Sequence, residues 1–265
     1  MGLCVAALGT DTGGAVRIPA AYCGVTGLKP SFGLVSLRGV APLFWRLDHV
    51  GPLTRTVGDA VLMLAAIAGF DPRCAESRRV PAFNGAGPAS EKLTGAHLGI
   101  IQDYGGEAVE PGVSAVFERS LDRLRDAGAV FVPLDLPGFD TKRARRAAFV
   151  AVEVGAALAY GDLYRREPHR FSPEMRGYLD WGGKASAVHL LEAERVMDAV
   201  AFALTSAWDR VDAVVSPSTP QTAFPFVGMA PDNQGAFFVL QTSPAVRRSA
   251  FQPGSPRTAC PSACI

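Results

Sequence analysis

The run Gly9-Thr-Asp-Thr-Gly-Gly-Ala-Val-Arg-Ile-Pro19 constrains this chain more than any other stretch of it. Adjacent glycines let a backbone turn through conformations other residues resist and approach a ligand without a Cβ clash. The N–H groups of Thr12, Gly13, Gly14 and Ala15 can then converge on one oxygen. Asp11 and Arg17 carry opposite charges on either side of the turn and can brace it through charge-assisted hydrogen bonds. Thr10 and Thr12 bear hydroxyls, but no base is in view that would make either a nucleophile. Taken alone, the glycines also admit a plain turn or a phosphate loop. The phosphate loop fails because no Lys-Ser or Lys-Thr pair follows them.

Further motifs follow in order: Gly24-Val-Thr-Gly-Leu-Lys-Pro30, Gly33-Leu-Val-Ser36, Leu47-Asp-His-Val-Gly-Pro-Leu-Thr-Arg-Thr56, Ala68-Gly-Phe-Asp-Pro72 and Val214-Val-Ser-Pro-Ser-Thr-Pro220. This ordered set resembles the amidase signature family, whose members place a nucleophilic serine directly after the two glycines. The resemblance runs over residues 1–240 and leans toward the general amidases rather than the tRNA-dependent amidotransferase subunit. It implies an α/β chain with the amidase-signature fold, a central mixed β-sheet covered by helices. It also implies an ancestral reaction, hydrolysis of a carboxylic amide to acid plus amine or ammonia. In that reaction a lysine deprotonates a serine in a cis peptide, and that serine relays the proton from the nucleophile. By the same resemblance, the backbone amides of Thr12, Gly13, Gly14 and Ala15 form an oxyanion hole and Asp11 and Arg17 hold the loop. It implies no cofactor and no metal.

Three departures shape what is expected of this chain. Ala15 stands at the nucleophile position, and a methyl group cannot attack a carbonyl. The family's lysine and cis serine belong to upstream segments that would precede Met1. None of Lys29, Lys92, Lys142 and Lys184 replaces that lysine, since Lys29 matches a separate family position. Beyond Gln241 the family's Gly-x-Pro-Ala-x-Ser-x-Pro-x-Gly pattern is missing. Residues 241–265 nevertheless admit codons that spell Asp-Leu-Ala-Gly-Arg-Pro-Ala-Ile-Ser-Val-Pro-Ala-Gly in a shifted frame, so a frame change near Gln241 is expected. The expected organisation is an incomplete amidase-signature domain over 1–240 and an aberrant, disordered or frameshifted tail over 241–265. Catalytic incompetence follows. The chain is then a pseudoenzyme or binding subunit that keeps its oxyanion-hole loop, or the product of a degraded gene. The partners expected are a small-molecule amide or carboxylate and, among proteins, a second copy or an intact paralogue.

Composition closes off other classes. A net charge of +1, with the arginines dispersed, offers no general attraction to nucleic acid or to an anionic membrane. The longest apolar stretch, 60–70, falls short of the roughly 20 residues a bilayer core requires. The five cysteines lack metal-ligand spacing except Cys260-x-x-x-Cys264, which has no histidine nearby, so a cytoplasmic protein with free thiols is expected. Residues 1–8 are apolar without a basic start, reading as the end of a buried helix or strand rather than a signal peptide. His97, His169 and His189 are scattered. Asp48 and His49, adjacent on an extended segment, face opposite ways, which favours a loop-bracing Asp48 and a packed or exposed His49 over an acid–base dyad.

Periodicity predicts the elements. Thr54 or Thr56 caps a helix that ends before Gly69, with Val57, Val61, Leu64 and Ala68 turned inward. Residues 73–94 read as a surface connection. A strand over 97–102 precedes a helix with Val113, Val116, Phe117, Leu121 and Leu124 on one face. Gly128 ends that helix before a strand over 129–133, giving a parallel crossover unit. Two long helices over 141–166 and 186–208 are separated by the Pro- and Gly-containing stretch 167–183, and a buried strand over 211–216 follows. Glu192, Glu194, Asp198 and Asp209, with Arg195 and Arg210, form a solvated face. Trp45 and Trp181 are candidates for an acyl pocket by their place in the resembled fold, and Phe237 and Phe238 are expected in the core.

Overall fold

The glycine-rich run joins a strand to a helix in the computed structural model, which describes residues 3–79, 83, 93–136, 139–238 and 262–264. Strand β1 (Ala6–Asp11) leads into the turn and helix α1 (Arg17–Cys23) leaves it. Gly24 closes α1 in the left-handed region at φ 63°, a conformation that costs glycine no Cβ clash. The chain then enters β2 (Thr26–Lys29) and, after a long connection, β3 (His49–Thr54). β3 is central: β1 pairs with it antiparallel from Ala6↔Thr54 to Asp11↔His49, and β2 pairs on its other side at Thr26↔Thr54. A Cβ at Gly51 would lie 2.2 Å from the Leu28 carbonyl oxygen, so the two strands can approach this closely only with glycine there.

Helix α2 (Val57–Ile67) covers this sheet. Thr56 is its cap, its hydroxyl oxygen accepting the Asp59 N–H at 3.1 Å. The inward row differs from the expected one: Ala60 and Leu64 are buried with Leu28 and Val50, whereas Val57 and Val61 are half-buried. A backbone bridge between Val35 and Ala68, and the Gly69 N–H donating to the Leu34 carbonyl, tie the helix end to residues 34–35 and set its roll. Residues 3–8 also depart from expectation. They lead into and open strand β1 rather than ending a buried element; β1 is the outer strand of its sheet, and Leu3, Val5 and Leu8 are exposed.

A second sheet is parallel. β4 (His97–Ile101) is followed by α3 (Pro111–Asp126) and β5 (Val130–Leu134), with Leu98↔Phe131 in register. Gly128, at φ 99°, makes the turn between helix and strand. Only Leu121 of the expected apolar face of α3 is buried, and Val116 is exposed.

Three helices follow: α4 (Thr141–Arg166), α5 (Pro173–Gly182) and α6 (Ala187–Trp208). α5 occupies most of the stretch read as a connector. Its start is nonetheless written in Ser172-Pro173: the serine oxygen accepts the Met175 N–H, and proline suits a first helical turn. At its far end Gly182 meets α4, where a Cβ would come 2.1 Å from the Glu153 carbonyl oxygen. β6 (Ala213–Val215) pairs parallel with β4 on the side opposite β5 and is half-buried rather than buried, because it lies at the end of the β5-β4-β6 order. β7 (Ser262–Cys264) pairs antiparallel with β2. Residues 239–261, where the frame change was placed, lie outside the described residues.

Antiparallel and parallel pairings thus both occur, in two sheets among helices, and the chain is α/β. The helical core joins Phe44 and Leu47 to Ala147, Val150 and Ala151 of α4 and to Ala193 and Met197 of α6. Among the described residues, α4 alone is long and apolar enough to cross a membrane by length and composition; here its inner side packs against α5 and α6.

Candidate active site

Asp11 is the centre on which the turn is built. Its side chain is fully buried and accepts four hydrogen bonds: from Gly14 N–H at 2.7 Å, Val16 N–H at 3.2 Å, and Arg17 Nε and Nη2 at 2.9 Å each. Arg17 is equally buried, so this is a fork-to-fork pair shielded from solvent. Burial pushes the Asp11 carboxyl upward, but the charge and hydrogen bonds of Arg17, the Gly14 N–H and the charge of Lys29 outweigh it and hold its pKa at about 2. Asp11 and Arg17 are thus joined across the turn. Gly14 sits at φ 117°, in the region that favours glycine. Of the amides nominated for an incoming oxygen, that of Gly14 is directed at Asp11 in this arrangement.

A second carboxylate fixes the other side of the turn. The Thr12 hydroxyl donates to Asp48 at 2.5 Å, and Asp48 also accepts the N–H groups of Leu43 and Phe44 at 2.9 and 3.0 Å. Beside it, His49 donates from Nδ1 to the Leu47 carbonyl at 2.6 Å and meets the Phe32 ring edge to face. His49 is thus packed and makes no dyad with Asp48. Burial, followed by the charge of Lys29, lowers its pKa to about 3, against the Leu47 carbonyl and Asp11, which favour the cation.

The pH dependence follows from the sign of that shift. Above pH 6.5 His49 is neutral in both folded and unfolded chains and costs nothing. Below it the unfolded chain takes up a proton that the folded one refuses until about pH 3, so stability falls across this window by roughly 1.4 kcal/mol per pH unit. Asp11 adds a separate loss only below its ordinary value of 3.8, down to about 2. Urea titrations of the native chain and of His49→Gln should diverge between about pH 6 and pH 4, inside that window. Parallel curves there would contradict the assignment.

The exposed side of the turn opens on a cavity of about 200 Å³. Thr12, Gly13 and Ile18 form one wall, Leu47, Met197 and Val200 another. Arg145, Ala148, Phe149 and Val152, spaced along one face of α4, form a third, and Asp232, Gln234 and Gly235 complete the lining. Ala15 is exposed beside Gly13 and Gly14. Trp45 and Trp181, proposed for an acyl pocket, do not line it: Trp45 packs on Phe44, and Trp181 lies against His189 and under the Arg146 guanidinium. Phe237 is buried against Tyr104, as its apolar surface demands. Arg145 was missed in the sequence, because an arginine in the first turns of a long helix carries no mark of facing inward. Among the described residues, no group of three His, Cys, Asp or Glu side chains could hold a metal ion.

A glycine turn spanned by a buried carboxylate–guanidinium pair lies beside an apolar cavity on an α/β frame. The family described as Amidase matches residues 1–251. A glutamyl-tRNA(Gln) amidotransferase subunit of Thermosynechococcus vestitus is 35% identical over 243 residues, covering 83% of this chain and 50% of the relative. An amidase of Pseudomonas putida is 35% identical over 220 residues, covering 81% and 46%. Among solved structures, one described as an amidase superposes with a TM-score of 0.73 at 30% identity, over 90% of this chain and 52% of its own. The corresponding glutamyl-tRNA(Gln) amidotransferase subunit of Thermotoga maritima superposes at 0.75 with 29% identity, over 92% and 53%. The chain belongs to the amidase signature family, and it spans about half the length of the relatives it matches.

Proposed function

We propose that this chain binds an amide, or the carboxylate derived from it, at the glycine turn without hydrolysing it. The observation that carries this reading is Ala15 at the position of the family's nucleophile, in a turn whose braces, Asp11 and Arg17, are in place. Backbone donors of an oxyanion hole need no side chain on residue 15, and the cavity beside Thr12 and Gly13 offers an apolar body of ligand a place to lie. Hydrolysis of a carboxylic amide is the ancestral reaction of the site. Association with a second chain accompanies this function: some relatives are named as one component of an amidotransferase, and the outer strand β1 presents Leu3, Val5 and Leu8 to solvent.

The test is intact-mass analysis of the purified chain after incubation with a serine-directed fluorophosphonate, alongside titration calorimetry with simple carboxamides. The expected result is binding of at least one carboxamide, no adduct and no released acid. A covalent adduct, or turnover of any amide, would overturn the reading.

A further inference from the structure

We propose that the cavity takes an acyl group whose far end carries a carboxylate, and that Arg145 is the residue that recognises it. This rests on the cavity being a ligand site at all. Its walls are almost wholly apolar, and among the described lining residues Arg145 alone carries a positive charge. The Arg145 side chain is only 16% exposed. Its Nη1 is buried without a hydrogen-bond partner. The nearest carboxylates stand beyond hydrogen-bond length, Glu107 Oε2 at 3.8 Å and Asp232 Oδ2 at 4.0 Å. A guanidinium presents a fork of five N–H donors, and donors kept from water and left unmet are costly.

The two acids play different parts. Glu107 is buried and outside the cavity wall, with Oε1 held by the Asn233 amide at 2.7 Å. It offsets the charge of Arg145 from the protein side without satisfying its donors. Asp232 lies on the wall, but its side chain is 94% exposed, so water can hold it when a ligand takes its place beside Nη2. A carboxylate arriving through the apolar cavity gains charge-assisted bonds to the guanidinium that an alkyl end does not.

Titration calorimetry of the full chain decides the matter, using the mono-amides of glutaric, adipic and suberic acid against pentanamide, hexanamide and octanamide. At the chain length that fits, the acid amide is expected to bind at least about tenfold tighter than its alkyl counterpart. Arg145→Gln should abolish that preference, the acid amide falling to the affinity of its alkyl counterpart in the same variant, and Arg145→Lys should restore part of it. Asp232→Asn, a change on an exposed side chain competing for the same guanidinium, should widen the preference for the acid amide over its alkyl counterpart about threefold. A preference that survives Arg145→Gln, no preference at any length, or no gain from Asp232→Asn overturns the assignment. Failure of every amide to bind overturns the ligand-holding reading as well, so the two failures are told apart.

Discussion

Replacing Arg17 by methionine is expected to destabilise the chain by about 3–5 kcal/mol, enough to consume much of the 5–15 kcal/mol by which a domain is ordinarily stable. The substitution leaves Asp11 with no exposure to solvent and without the guanidinium that contacts it. Two backbone donors, Gly14 and Val16, remain, and burial then drives the carboxyl upward from the low value that Arg17 maintains. Urea unfolding followed by circular dichroism reads the loss. The double substitution Asp11→Leu with Arg17→Met should recover part of it, because removing both charges costs less than stranding one. A loss below about 1 kcal/mol in the single variant would mean that the pair does not hold the turn.

Restoring the hydroxyl alone is expected to restore nothing. In Ala15→Ser the lysine nearest the serine in sequence, Lys29, is not placed as its base: its amine donates to the Pro30 carbonyl at 3.0 Å. His49, the histidine nearest the turn in sequence, is a weak base because burial lowers its pKa to about 3. A catalytic unit is strongly non-additive, so loss of one member costs about as much as loss of all, near 10⁶ in kcat, and regaining one member recovers little. The measurement is product formation from an amide panel together with acyl-enzyme detection by mass. A burst of acid, or an acyl adduct on Ser at position 15, would show that a base is present after all.

Much of the site was legible because its chemistry is local. Asp11, the glycine pair and Arg17 lie within seven consecutive positions, and charge sign plus backbone freedom is enough to predict a braced turn. The role of Asp48 was legible for the same reason, an acid placed in a tight extended segment. Long-range geometry was less accessible. That α2 buries Ala60 and Leu64 rather than Val57 and Val61 depends on a bridge to Val35 that no helical period encodes. Arg145 belongs to the cavity only because α4, α6 and residues 232–235 converge there, and sequence spacing says nothing about convergence. α5 lay within reach, since Ser172-Pro173 is a helix start; the density of proline and glycine around it hid the signal.

The side-chain bonds that shape the turn end on Asp11 and Asp48, and none of them uses the side chain of residue 15. The shape of the turn and the identity of residue 15 can therefore vary separately. A lineage can lose the reactive atom in a single substitution and keep the heritable shape of the loop intact, whereas a change at Asp11 or Arg17 removes both. Relatives that have abandoned the reaction should thus vary freely at the position of Ala15 while holding the acid and the arginine on either side of it.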